Sequence, residues 1–275
     1  MSAKAIALDS GRLSARLAGQ DWITRLVVLG SVDSTNDELR RLAAQGAREG
    51  TVVLADHQRQ GRGRRGRTWH SPAGQGLYVS VLFRPTARLE NVTRWTLAGA
   101  VAACAACRGM TGVPVEIEWP NDLVHASRKL GGVLTEMRSR GARATELVLG
   151  TGLNVLQRDE DFPLELARVA TSLACAAGRP VDRLELAACY LEQLGQVAAR
   201  LRDGEWASVA RRWEAWAPGG RGRRVRVSLA ARVGGRATYE GTTRGLDERG
   251  ALRVLRDDGG LESVRMVEAV EPVES

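Results

Sequence analysis

A chain of 275 residues, 44% hydrophobic and 26% charged, has the make-up of a globular protein and room for one large domain with a smaller one attached. A formal charge of +8 attracts anions (nucleotide, nucleic acid, an acidic protein or a membrane surface) without choosing among them. No apolar run approaches the roughly 20 residues that cross a bilayer, and residues 1–17 lack the apolar stretch and cleavage site of a signal peptide.

In chain order, residues 24–29 predict a strand and residues 34–48 a helix with Leu39, Leu42 and Ala43 on one face. A β-branched strand follows at 51–55, then a Gly- and Arg-rich loop at 58–76 and an apolar strand at 77–83. Residues 97–107 are Ala-rich and predict a buried helix, and 113–119 alternate as a strand. Residues 130–137 and 146–155 predict a hairpin, followed by helices at 163–177, 182–202 and 205–216. Pro218, Gly219, Gly220 and Gly222 then break the pattern. Short strands at 224–229, 237–244, 251–255 and 261–267 predict a small β-barrel-like appendage, which gives domains at 1–217 and 218–275.

Nearly all the positive charge is arginine; only Lys4 and Lys129 are lysines. An ammonium is a compact point charge and a guanidinium a planar fork, so an internal lysine in such a chain marks a place where the fork does not serve. Asparagine is equally scarce, and three of the four, Asn36, Asn121 and Asn154, fall in the motifs below.

Those motifs number five. Ser34, Thr35 and Asn36 open the first helix; Thr35 and Glu38 fit a capping box, and the free N–H groups and hydroxyls of a helix start also suit a small polar ligand. Residues 58–69 read QRQGRGRRGRTW: Gly61, Gly63 and Gly66 let backbone approach a ligand, and Arg62, Arg64, Arg65 and Arg67 are suited to phosphate. A disordered nucleic-acid-binding loop is the alternative. The GxGxxG match within it lacks the helix a dinucleotide site needs, since Ser71-Pro72-Ala73-Gly74-Gln75-Gly76 follows. No Gly-Lys-Ser/Thr loop occurs either. Glu118-Trp119-Pro120-Asn121-Asp122 ends a strand with an amide and a carboxylate. Lys129 leads a strand containing Gly131 and Gly132, and Gly150 and Gly152 flank Thr151 before Asn154; glycines inside strands indicate close backbone approach.

In this order and spacing, from about Val32 to Val155, the motifs resemble the biotin protein ligases, most diagnostically in GRGRRGR and WPND. The resemblance implies an α+β fold: a mixed β-sheet backed by helices (a class II synthetase-like catalytic domain) with a small C-terminal SH3-like β-barrel. It implies ATP with Mg²⁺ and biotin as ligands. By matching positions it assigns Ser34, Thr35, Asn36, Gln58, Arg62, Gly63, Arg64 and Lys129 to biotin or its carboxylate, with Gly131, Gly132, Gly150 and Gly152 letting backbone approach the bicycle. Arg64, Arg67, Trp69, Asn121, Asp122 and Asn154 are assigned to the adenylate, and Lys129, Arg64 and Asp122 to catalysis. No resident metal ligand is expected. The implied partner is the biotin carboxyl carrier domain of a carboxylase, with the enzyme a monomer or weak homodimer. Glu118 departs from the family, which usually has a basic residue there.

Some family members are also DNA-binding repressors; with about thirty residues ahead of Ser34, no sequence-specific DNA binding is expected. A lipoate or octanoate ligase on a related fold is the other rival, and the GRGRRGR and WPND pair favours biotin. Cys104, Cys107, Cys175 and Cys189 lie in Ala-rich helical segments, so a reduced, cytoplasmic setting without metal or redox use of the CxxC is expected. His57, His70 and His125 are assigned nothing, and Trp206, Trp213 and Trp216 are expected to pack against the appendage.

Overall fold

The computed structural model describes residues 7–85, 88–229, 238–265 and 267–273. Among these, seven strands form one mixed sheet: β1 (Arg25–Leu29), β2 (Thr51–Ala55), β3 (Gly76–Phe83), β4 (Glu116–Glu118), β5 (Asp122–His125), β6 (Arg128–Arg140) and β7 (Arg143–Asn154). Their order is β1-β2-β3-β7-β6-β5-β4, with β1 and β2 parallel and every other pair antiparallel. Among the described residues five helices of two turns or more accompany the sheets only in part as the periodicity predicts. Helix α1 (Ser10–Arg16) is capped by Asp9, whose carboxylate accepts from Arg12 N at 2.7 Å. It is too short for its single buried leucine, Leu13, to show a period. Helix α2 (Thr35–Ala44) stops four residues before the predicted end because Gly46 takes φ +89°.

The two faces of the sheet have different fates, and the strand period of two decides which residue goes where. On β7, Leu147, Leu149 and Leu153 join the main core beneath α3 (Val92–Thr111) and α5 (Arg183–Arg202), where Thr151 Oγ1 lies 2.7 Å from the Tyr190 hydroxyl. Gly99 lets α3 press on this face: a Cβ there would sit 3.0 Å from Leu149 and 3.1 Å from Val133. The alternate residues face the other way. Val148 joins Val53 and Leu82 under Leu39, Leu42 and Ala43 of α2, forming a smaller core. Gly150, Gly152 and Asn154 continue this face past the helix N-terminus, beyond the apolar side chains of α2. That stretch is the floor of a cleft.

Two predicted elements differ. The helix expected over 163–177 shrinks to α4 (Leu173–Ala177), capped by Ser172. Ahead of it the chain is captured by β6: Lys129 N donates to Val169 O at 2.7 Å and Thr171 N to Lys129 O at 2.9 Å. A pairing with a distant strand overrides local helix preference. Strand β5 goes unpredicted because it turns into β6 through Ala126 and Ser127, both at positive φ (48° and 60°), without the Asn-Gly that signals such a turn. Left-handed backbone costs a residue with a Cβ about 1–2 kcal/mol. Replacing the pair by Asn-Gly is therefore expected to stabilise the fold by about 1 kcal/mol. Urea midpoints would show it, and an unchanged or lowered midpoint would refute the strain.

Beyond α6 (Trp206–Trp216) lies a second, antiparallel sheet: β8 (Arg221–Leu229), β9 (Thr238–Leu246), β10 (Leu252–Arg256), β11 (Leu261–Val264) and β12 (Val267–Pro272), ordered β11-β10-β9-β8-β12. This antiparallel sheet is consistent with the expected small SH3-like unit; among the described residues no pairing joins β11 to β12. Ala237, the first residue of one predicted strand, and Met266, within another, lie outside the described residues. The sheet docks on α3 and α6: Trp206 Nε1 donates to Asp247 O at 3.2 Å, and a Cβ on Gly220 would meet Trp213 at 2.7 Å. Trp216 is partly buried against the same core, with the guanidiniums of Arg108 and Arg212 at 5.5 and 4.9 Å from its ring.

Candidate active site

The cleft measures about 310 Å³, within the size range of small-molecule sites. Its walls are the α2 N-terminus, the arginine loop, the β5–β6 hairpin, the glycine-rich end of β7, and the 162–170 segment that β6 captures. Every residue that the resemblance assigns to ligand or catalysis lines it except Gly131. Adjacent residues of a strand face opposite ways. Gly131 faces away, and a Cβ there would meet Leu153 Cδ2 at 2.5 Å and Gly152 O at 2.8 Å. Its smallness serves sheet packing, not ligand approach.

The other glycines do admit close neighbours, but these are side chains of the protein itself. A Cβ on Gly150 would lie 2.2 Å from Asn36 Oδ1, one on Gly152 2.6 Å from Trp69 Nε1, and one on Gly132 3.2 Å from Asp122 Oδ1. The glycines therefore seat Asn36, Trp69 and Asp122. Gly152→Ala must push a rigid indole out of place, and misplacement on the ångström scale can cost about 100-fold in rate. We expect at least a tenfold loss of kcat/KM for the nucleotide that the resemblance implies, with little change in thermal midpoint. Near-wild-type kinetics would show that Trp69 need not sit there.

A polar network fixes the first wall. The Gln58 carbonyl oxygen accepts from Thr35 N at 2.9 Å and Thr35 Oγ1 at 3.1 Å, while its Nε2 donates to Ser71 Oγ at 3.1 Å. The Ser80 hydroxyl lies 2.8 Å from Thr35 Oγ1 and 2.6 Å from Asn36 Oδ1. Thr35 is thus committed to Gln58 and Ser80, and the capping box with Glu38 does not form; Glu38 pairs with Arg41 instead. Ser34 is the N-cap residue and its hydroxyl makes no capping bond, so it remains available at the helix start. Ser71 and Ser80 carry no motif: Ser71 meets Gln58 13 positions away as well as Trp69 O at 3.0 Å, and Ser80 meets Thr35 and Asn36 from β3.

The arginine loop is a small hairpin. Trp69 N donates to Gly61 O at 2.8 Å, Gly63 N to Arg67 O at 2.7 Å, and Arg65 and Gly66 turn the tip at positive φ. Its arginines divide by partner. Arg62, expected at the ligand, is forked onto Asp37 and reaches Glu136 at 3.5 Å, because the loop's first rung passes over α2. Arg64 points the other way and donates to Asn121 Oδ1 at 3.0 Å. Burial, with Arg65 and Arg67 beside it, lowers the pKa of its guanidinium against the opposing pull of Asp122. A half-desolvated cation among cations is a place for an anion. Arg67 is exposed at the mouth.

Opposite stands the chain's internal lysine. Lys129 Nζ is 2.6 Å from Asp122 Oδ2 and 5.7 Å from the centroid of the Trp69 ring. Asp122 Oδ1 is buried and, among the described residues, has no hydrogen-bond partner; the same holds for Trp69 Nε1 and His70 Nε2. Asn121 is fully used: its amide nitrogen donates to Val133 O at 3.0 Å. Asn154 is used too, donating to Thr171 O at 3.0 Å and accepting from Gln157 at 3.3 Å, so it ties down the captured segment. Phe162, Leu166, Val169 and Ala170 add an apolar wall from that segment. The helix predicted there hid it, because a wall made by capture on β6 has no local signature. Glu118 and Trp119 leave the cleft altogether: Glu118 faces Arg223 at 3.9 Å, and Trp119 Nε1 donates to Gly250 O at 3.4 Å. Cys104 and Cys107 are buried in α3, where desolvation pushes both thiols up, Cys104 to about 12. Among the described residues no group of His, Cys, Asp and Glu is arranged to hold a metal, and no helix is long and apolar enough to cross a membrane.

The chain has relatives. The family model of the biotin/lipoate A/B protein ligases matches residues 28–154. The bifunctional ligase/repressor BirA of Bacillus subtilis is 35% identical over 250 residues, covering 90% of this chain and 73% of that protein. The biotin–acetyl-CoA-carboxylase ligase of Mycobacterium tuberculosis is 33% identical over 260 residues, covering 92% and 91%. The structure of the biotin protein ligase from Aquifex aeolicus in complex with biotin and ATP matches with a TM-score of 0.76 at 29% identity, over 91% of this chain and all of that one.

Proposed function

We infer what the cleft does from one premise: the chain belongs to the biotin protein ligases, within the biotin/lipoate A/B protein ligase family. It activates biotin with ATP to biotinyl-5′-adenylate and transfers biotin to a lysine of a carboxylase carrier protein. The observation that carries the residue assignment is the convergence on one cleft of Arg64, from the arginine loop, with the Lys129–Asp122 pair of the β5–β6 hairpin, far along the chain from it.

In the first half-reaction a biotin carboxylate oxygen bonds to the α-phosphorus of ATP as the bond to pyrophosphate breaks. Two anions must approach each other. Arg64, Arg67 and Lys129 are the cations we assign to offset that repulsion, and preorganised charges of this kind act on the transition state without reorganising. The Ser34 hydroxyl, with the Thr35 and Asn36 end of α2 and the Gly63 backbone, is assigned to the polar rings of biotin. The Phe162–Ala170 wall supplies apolar cover, which also shields a reactive anhydride from water. Mg²⁺ screens the triphosphate when bound. A lone carboxylate already paired with Lys129 fits an ion carried mainly by the phosphates and water, not a protein cage.

In the second half-reaction the acceptor lysine amine attacks the biotinyl carbonyl carbon, and AMP leaves. The amine must shed a proton to attack. Asp122 has one oxygen committed to Lys129 and the other without a partner among the described residues, so we assign it to orient the amine and accept that proton. We place the catalytic unit at 1–217 and the SH3-like unit at 218–275, in line with the separate sheets of 25–154 and 221–272. We also propose a monomer or weak homodimer, working in the cytoplasm, where four free cysteines stay reduced.

Biotin-dependent pyrophosphate release from ATP is the test. Release that biotin supports and lipoate neither supports nor inhibits is the expected result. Release with lipoate in place of biotin would move the chain to the lipoate branch, and none with either would remove the reading.

A further inference from the structure

We propose that Asp37 and Glu136 are positioning residues that hold the arginine loop over the cleft by gripping Arg62, although neither carboxylate lines the cleft. The kinetic part of this inference rests on the ligase reading; the structural part does not.

The grip is built from both sides. The Arg62 guanidinium forks onto the two Asp37 oxygens, with Nη2 to Oδ1 at 2.7 Å, and the same nitrogen reaches Glu136 Oε1 at 3.5 Å. Arg40, one turn along α2, braces both carboxylates: 2.5 Å to Asp37 Oδ1 and 3.2 Å to Glu136 Oε1. The second oxygen of Glu136 accepts from Asn36 Nδ2 at 2.7 Å. Glu136 therefore joins three things that must agree if the cleft is to fit a ligand: the loop through Arg62, the helix start through Asn36, and its own strand β6. A fork onto a carboxylate fixes orientation as well as distance. Two cations and two anions balance within the group, so it leaves the cleft's positive field to Arg64, Arg67 and Lys129.

The path from Arg62 to the cleft is short. Arg62 bridges to Thr68 across the loop hairpin, and Gly63 N donates to Arg67 O in the next rung. Holding Arg62 thus holds the rung from which Arg64 reaches Asn121. Arg62 is the hinge pin and Arg64 the working group, although both belong to one arginine-rich run.

The test joins protease sensitivity of the ligand-free protein to kinetics. Asp37→Asn and Glu136→Gln are expected to speed tryptic cleavage after Arg64, Arg65 and Arg67 about tenfold, since local opening sets the rate. The same variants are expected to raise the biotin KM about tenfold while kcat changes about twofold or less, the split of a lost binding arrangement. Asp37→Glu keeps the charge and should restore part of both. In an Arg62→Gln background Asp37→Asn should add nothing, because its effect runs through Arg62. Cleavage rates of Asp37→Asn equal to wild type, a loss confined to kcat, or effects that multiply with those of Arg62→Gln would each overturn the proposal. The cleavage arm needs no substrate. Failure of the wild type to release pyrophosphate would therefore strike the ligase reading alone and leave the grip to be decided by cleavage.

Discussion

Arg64→Ala is expected to lower biotin-dependent pyrophosphate release by about 10²–10³-fold, the cost of removing one preorganised donor from a developing anion. The thermal midpoint should stay within about 2 °C of wild type. Arg64 contributes little to the fold: its resolved side-chain partner is Asn121, which stays fixed through its own bond to Val133. Its position is costly in the absence of an anion, since burial and two neighbouring arginines already disfavour its charge. Removing it relieves that cost and takes away a desolvated cation at the cleft. Arg64→Lys keeps the charge but loses the fork, and should recover only part of the rate. A decrease of less than about threefold in Arg64→Ala would shift the phosphate assignment to Arg67 and Lys129.

The second large effect is on stability. Asp56→Ala is expected to cost about 3–5 kcal/mol, because it leaves the Arg183 guanidinium buried without its carboxylate. The Arg183 side chain is 3% exposed and paired with Asp56, which is 13% exposed; its Nε also donates to Gly76 O at 3.1 Å. Desolvation already lowers the pKa of Arg183, and the Asp56 charge is the foremost of the groups that oppose this. Asp56 further accepts from Leu8 N at 3.3 Å, and its carbonyl accepts from Gly74 N at 3.0 Å. The pair therefore anchors the N-terminal segment and both ends of the arginine loop on α5. We expect the thermal midpoint to fall by roughly 10 °C, with the proteins compared at equal concentration. A fall of less than about 2 °C would mean that water reaches Arg183 and the pair is not a buried one.

Part of this molecule can be read along the chain. Alternation of leucines and glycines in residues 146–155 predicts a strand with one apolar face, because strand geometry sends successive side chains to opposite sides whatever surrounds them. The scarcity of lysine singles out Lys129, and the spacing of GRGRRGR and WPND carries the family. Backbone periodicity, turn chemistry and composition are local properties, so local sequence determines them.

What the tertiary structure decided is which partner each group meets. Gly131 and Gly132 are neighbours with the same chemistry, yet the pleat turns one into the packed sheet and the other to the cleft. Arg62 and Arg64 are two positions apart; one is gripped by Asp37 and Glu136 and the other turns to Asn121 across the cleft. The 162–170 wall exists because Lys129 offers its backbone to Val169 and Thr171, overriding a helical pattern. Asp56 and Arg183 carry no motif, and 127 positions separate them. Such pairings are set by burial and by the charges that long-range packing brings within reach, and a sequence read in windows contains the charges but not the distances between them.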